Sequence, residues 1–212
     1  MNLISRSFVC VATSLLFINT AQAQISLAAF DNATVQPAGP RPGDNGKRFF
    51  NMEGNGNGDF ASFAVADFTP HMPGQEGMPV RLTVTLVQAN AAFTSNGDLH
   101  FWLTTDTTTD IQPSDNPAVR FITPDDPDGL DDQLVPRFFL GSGTFVEVDD
   151  GQMDDYSFDL SPDASQYLRD QISNCGNIRI VISPADSNVA ATYAGHTHET
   201  WPGPAITIDL AE

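Results

Sequence analysis

The chain has 212 residues, nine Lys+Arg against 27 Asp+Glu, and a formal net charge of −18. Sixteen Gly and fifteen Pro break up long helices while fifteen Phe supply a core, so the composition fits neither a membrane helix bundle nor, with two Cys, a disulfide scaffold. So acidic a surface repels phosphate backbones and anionic lipid, which disfavours nucleic-acid binding and polybasic membrane docking.

Residues 1–23 read as a secretory signal peptide. Arg6 precedes an apolar run from Phe8 to Ile18, and Ala21-Gln22-Ala23 is the small-x-small pattern cut before Gln24. As a helix that run covers only about half of a hydrocarbon core roughly 30 Å thick, too short for a transmembrane anchor. Cleavage removes Cys10 and Arg6, leaving residues 24–212 with Cys175 as their single cysteine and no intramolecular disulfide. The expected product is secreted or held at the cell surface, without membrane insertion.

From Gln24 onward apolar residues alternate with polar ones in short runs bounded by Gly, Pro, Asn and Asp. Strands are predicted at Ile25–Phe30, Arg48–Met52 and Phe60–Phe68, the last apolar on both faces and therefore central. Leu82, Val84 and Leu86, then Leu99, Phe101 and Leu103, mark two half-buried strands. Arg137–Leu140, Thr144–Val148 and Tyr156–Leu160 follow as further strands. One helix is predicted near 162–173, with Ser161 as N-cap, Pro162 at its first position, Ala164, Leu168 and Ile172 on one face, and Asn174 or Gly176 as stop. Ile178, Ile180 and Ile182, the segment Ala190–Ala194, and Ile206, Ile208 and Leu210 complete the strands. Gln36–Gly46 and Thr123–Asp132 read as long loops. The pattern predicts an all-β fold in one domain, 24–212: a jelly-roll-like antiparallel β-sandwich with one short helix.

Asp31-Asn32-Ala33-Thr34-Val35-Gln36, Ala64-Val65-Ala66-Asp67-Phe68, Tyr156-Ser157-Phe158-Asp159-Leu160-Ser161 and the closing Tyr193-Ala194-Gly195…Glu199…Pro202-Gly203-Pro204 resemble DNRLRE-type modules. The resemblance implies a secreted bacterial jelly-roll β-sandwich, related in architecture to carbohydrate-binding modules. The chain departs from that pattern in having His196-Thr197-His198-Glu199 where a basic residue ordinarily precedes the acid.

Calcium is the cofactor the acids fit best, because it takes six to eight oxygen ligands that turn-rich loops can supply. Pro124–Asp132 is the densest segment; with Pro124 and Val135 at the terminal ligand positions it is not an EF-hand, but Asp126, Asp128 and Asp131 are candidate ligands. A solvated acidic loop is the alternative. Asp149, Asp150, Asp154 and Asp155 around Gly151 read as a second cluster or as a charged hairpin turn, and the Asn-Gly repeats of 51–59 as a turn. His196, His198 and Glu199 could share a zinc only with a ligand from elsewhere. Asn32-Ala33-Thr34 is a glycosylation sequon.

Sugar recognition needs flat aromatic faces beside hydrogen-bonding groups. Trp102 shares the outward face of its strand with His100 and Thr104, and Trp201 lies on a loop with Tyr193 as a companion. Trp102 packed beneath a loop is the competing reading. Catalytic motifs such as Gly-x-Ser-x-Gly and His-Glu-x-x-His are absent from the sequence. The expectation is a non-catalytic module binding a glycan or an extracellular matrix component through Trp102, His100, Trp201 and Tyr193. A structural or adhesive protein without a small ligand is the alternative, and a polysaccharide-active enzyme comes third.

Overall fold

The computed structural model describes residues 23–71, 77–122 and 128–211; most of the expected signal peptide, and Asp126 of the expected calcium loop, lie outside them. Twelve strands and two α-helices follow one another: β1 (Ala23–Ala28), β2 (Asp31–Gln36), β3 (Gly39–Pro40), α1 (Asp44–Arg48), β4 (Phe49–Glu53), β5 (Phe63–Phe68), β6 (Met78–Val87), β7 (Gly97–Thr104), β8 (Arg137–Phe145), β9 (Met153–Asp159), α2 (Pro162–Asn174), β10 (Ile178–Pro184), β11 (Ala190–Ala194) and β12 (Ala205–Ala211). They form an antiparallel β-sandwich of one sheet ordered β1-β12-β6-β9 and another ordered β3-β2-β5-β10-β7-β8. Leaving aside β2, β3 and the short β4–β11 ladder, the other eight strands, numbered in chain order, stand 1-8-3-6 and 2-7-4-5, the winding of a jelly roll.

Alternation builds the space between the sheets. Leu82, Val84 and Leu86 of β6 and Ile206, Ile208 and Leu210 of β12 meet Ala64, Ala66 and Phe68 of β5, Leu99, Phe101 and Leu103 of β7, and Ile178, Ile180 and Ile182 of β10. The β4–β11 ladder contributes Phe50, Met52, Ala191 and Tyr193 to the same core. It is bridged to Ser62 before β5 and to Gln88 after β6, and so walls off one side of the sandwich. Helix α2 adds Ala164, Leu168 and Ile172. Ser161 caps it by accepting the Ala164 amide, but its left-handed terminal residue is Cys175 (φ 50°), a role expected of Asn174 or Gly176. The Gly176 amide closes the turn on the Gln171 carbonyl.

The middle of the six-stranded sheet, β2, β5 and β10, is buried on both faces. Residues 105–122 and 128–136 lie across its outer side and set Ile111, Val119, Phe121, Leu130 and Leu134 on Val35, Phe63, Val65 and Val181. All seven residues of β10 are therefore buried, where sequence alternation predicted a half-exposed strand. The loop is pinned by Arg179. Its guanidinium makes a bidentate pair with Asp67 on the facing strand (Nε–Oδ1 2.6 Å, Nη2–Oδ2 2.8 Å). Nη1 also donates to the carbonyls of Asp106 (3.1 Å) and Thr109 (2.9 Å).

Four further differences from the sequence reading have local causes. Arg137–Phe145 is one strand, since Gly141 and Gly143 pair with Phe101 and Leu99 instead of breaking it. Asp31–Gln36 is a strand, because the loop supplies an apolar cover for Ala33 and Val35. The Gln36–Gly46 loop holds β3 and the start of α1. The acidic segment around Gly151 is a crossover between the sheets, from β8 to β9, and not a hairpin.

Arg179 and Asp67 have side chains only 4% and 8% exposed, and deleting one partner strands the other without water. Arg179→Ala is expected to lower unfolding free energy by about 3–5 kcal/mol. It should also open 105–122 to limited proteolysis, measured by urea titration and protease mapping; an unchanged cleavage pattern would refute the anchoring role.

Candidate functional site

Trp102 lies on the outer face of β7, beside the edge strand β8. The β7–β8 register slips at Phe101/Trp102: Phe101 faces Gly141 and Trp102 faces Phe139, so Leu140 is the extra residue. Such a bulge re-aims side chains. It places Phe139 against Trp102, with ring centroids 4.8 Å apart and planes at 54°. His100 stands edge-on to both, at 6.1 Å from Trp102 and 5.4 Å from Phe139. Phe139 is 51% exposed.

The indole is the less accessible ring. Its Nε1 donates to Ser183 Oγ at 3.0 Å, its body packs against the covered outer core, and the Arg137 guanidinium carbon stands 5.3 Å from its centroid. Arg137 is itself held by the carbonyls of Gln133 and Asp131. Trp102 thus forms the back of an aromatic ledge whose open ring is Phe139. Sequence reasoning singled out Trp102 and His100 but missed Phe139 and Arg137. The available signal was the Phe138-Phe139 pair, since neighbours on a strand cannot both point inward.

Trp201 and Tyr193 do not join this ledge as a surface pair. Tyr193 is fully buried, so its ring is closed to a ligand. Its hydroxyl donates to Asp154 Oδ2 (3.1 Å) and lies 2.7 Å from that of Tyr156. Half-buried Trp201 leans on the 149–152 turn, where Gly151 (φ +91°) leaves room: a Cβ there would fall 2.7 Å from the indole.

The histidines and acids are held by local contacts. His196 contacts Asn32 Oδ1 through both its backbone N–H (2.7 Å) and Nδ1 (2.6 Å). His198 Nδ1 accepts the amides of Thr200 (3.2 Å) and Trp201 (3.1 Å). Asp128 Oδ1 accepts the Leu130 amide at 2.9 Å, and Asp131 is exposed in a left-handed conformation (φ 43°). Among the described residues no three His, Cys, Asp or Glu side chains are grouped to hold a metal ion, so geometry adds nothing to the calcium and zinc readings. The sequon is closed as well, Asn32 being 1% exposed within β2.

A separate cleft of about 480 Å³ opens at the opposite edge of the same sheet, between β2, the turn into α1, the 111–113 segment and the 197–199 loop. No protein-family model matches the chain, and no curated protein matches it.

Burial raises all three tyrosines above the ordinary phenol value of 10, Tyr156 to about 12. Native tyrosinate absorbance is therefore expected to lag that of the unfolded chain at about pH 10, and stability should fall as pH rises from about 10 through about 12. A spectrophotometric titration with normal phenols would contradict this. His198 is held below 6.5 by burial and then by Arg48, against Glu199 and Asp150. A depressed histidine contributes stability above its unfolded value and loses it as pH falls through the folded one. Acidification below about pH 6.5 is thus expected to loosen 198–201. Trp201 fluorescence in a Trp102→Phe background reads this, and an emission independent of pH would exclude it.

Proposed function

We propose that the chain is an exported, non-catalytic β-sandwich module that binds a neutral glycan at the Trp102–Phe139–His100 ledge. The observation that carries this reading is the half-exposed Phe139 ring, braced from behind by Trp102 and flanked by an imidazole. A pyranose offers C–H patches and hydroxyls together, which an aromatic face and an adjacent polar edge can take up at once. Ser142, exposed on β8 opposite His100, adds a hydroxyl to that edge. The net charge of −18 favours an uncharged polymer over a polyanion for a site open to bulk solvent. The rigid sheet beneath the ledge limits the ordering cost of binding.

Glycan arrays and affinity electrophoresis on the wild type, Phe139→Ala, Trp102→Ala and Trp201→Ala test the reading. Phe139→Ala is expected to weaken binding about tenfold, equivalent to about 1.4 kcal/mol, at unchanged melting temperature. Trp102→Ala should lower both affinity and stability, because its indole also packs under the loop. Trp201→Ala should leave affinity unchanged. Full retention of binding by Phe139→Ala, or no glycan bound by the wild type, would overturn the assignment.

A further inference from the structure

Three of the nine basic residues of this acidic chain, Arg41, Lys47 and Arg48, fall within eight positions and line the 480 Å³ cleft together. Backbone contacts hold them in place. The Arg41 amide donates to the Thr34 carbonyl of β2 at 2.8 Å, and the Gly195 amide to the Arg48 carbonyl at 2.7 Å. Gly195 sits so close to Lys47 that a Cβ would collide with the Lys47 carbonyl oxygen.

The three cations stand among carboxylates but are unequally paired with them. Lys47 pairs with Asp31 at 3.2 Å. Arg48 reaches Glu199 at 3.8 Å, but that carboxylate is 79% exposed and the pair correspondingly weak. Asp44 and Glu199 also line the cleft, so that with Asp31 three carboxylates stand beside the three cations. Among the described residues Arg41 makes no ion pair, though the half-buried carboxyl of Glu53 feels its charge. Two donors on cleft-lining residues, Asn32 Nδ2 and Arg48 Nε, are buried without an acceptor. Ala33, Pro40 and Ile111 add apolar surface to the lining.

We infer that this cleft binds an acidic sugar, its carboxylate held by Arg41 and Arg48 and its ring against the apolar surface of Ala33 and Ile111. The volume lies in the range of small-ligand pockets. A guanidinium is suited to a carboxylate because its N–H groups match both oxygens. The site uses none of the residues of the aromatic ledge, so either assignment can fail alone.

The test is titration of the full chain with glucuronate, glucose, acetate and inorganic phosphate, followed by calorimetry and by amide NMR shifts at 32–48 and 195–199. Glucuronate is expected to bind and shift those amides, glucose to leave them unmoved and acetate to bind more weakly. Arg41→Gln should weaken glucuronate about tenfold, the loss of one charged hydrogen bond. Arg169→Gln, which removes the same charge from the exposed face of α2, should retain wild-type affinity and control for net charge. Circular dichroism checks that both variants fold; should Arg41→Gln fail to do so, Arg41→Lys replaces it with the same expected weakening. Equal response to glucose, response to phosphate alone, no response, or equal losses in the Arg41 variant and Arg169→Gln would each overturn the assignment.

Discussion

The ion pair between Arg179 and Asp67 holds the outer half of this protein together. A six-stranded sheet packed on one side only would leave Phe63, Val65 and Val181 facing water. Residues 105–122 and 128–136 cover them, but their carbonyls need donors wherever they cross the sheet. Arg179 meets both requirements: two guanidinium nitrogens neutralise a carboxylate on the facing strand while the third binds loop carbonyls. Replacing the pair by apolar side chains would preserve burial yet release the loop, so the charges contribute position more than net free energy.

Both candidate binding places follow from where that cover ends. At the β8 edge the sheet loses its last neighbour, and the bulge at Leu140 turns Phe139 onto the open face beside Trp102. At the β2–β3 edge the cover meets α1 and the 195–199 loop, leaving a cleft instead of a ledge. The first is aromatic and braced by packing, the second lined by charged groups of both signs and braced by backbone hydrogen bonds. An overall charge of −18 does not forbid a local contact with an anion: an ordered guanidinium acts on a ligand at close range, while the distant acids are screened within about 10 Å at moderate ionic strength.

The interior polar groups divide into those that lock structure and those that respond to pH. Asp154 receives hydrogen bonds from Tyr193 and from Gln88 Nε2 (2.7 Å), tying the β4–β11 ladder to the strand crossover. His196 and His198 lie at the other extreme, in a loop that packs on α1 and forms part of the cleft's surroundings. Burial holds both below the ordinary histidine value, which ties the order of that loop to the neutral imidazole.

The sandwich was legible in the sequence because side chains on a strand alternate with period two, so Leu82-Val84-Leu86 and Ile206-Ile208-Leu210 declare their buried face from spacing alone. The helix was legible for the same kind of reason, through Ser161, Pro162 and the fourfold spacing of its apolar face. Trp102 and His100 could be placed on an outward face by alternation, but whether that face met water depended on a distant loop. Tyr193 reads as a surface aromatic next to Trp201 in a linear chain, yet β11 folds inward to finish the core. Phe139, Arg41 and the buried donors of Asn32 and Arg48 acquired meaning only in three dimensions. Periodicity reports which residues share a face; which element covers that face, and which charges converge at its edges, is set by contacts between segments far apart in sequence, and only the tertiary structure decided those.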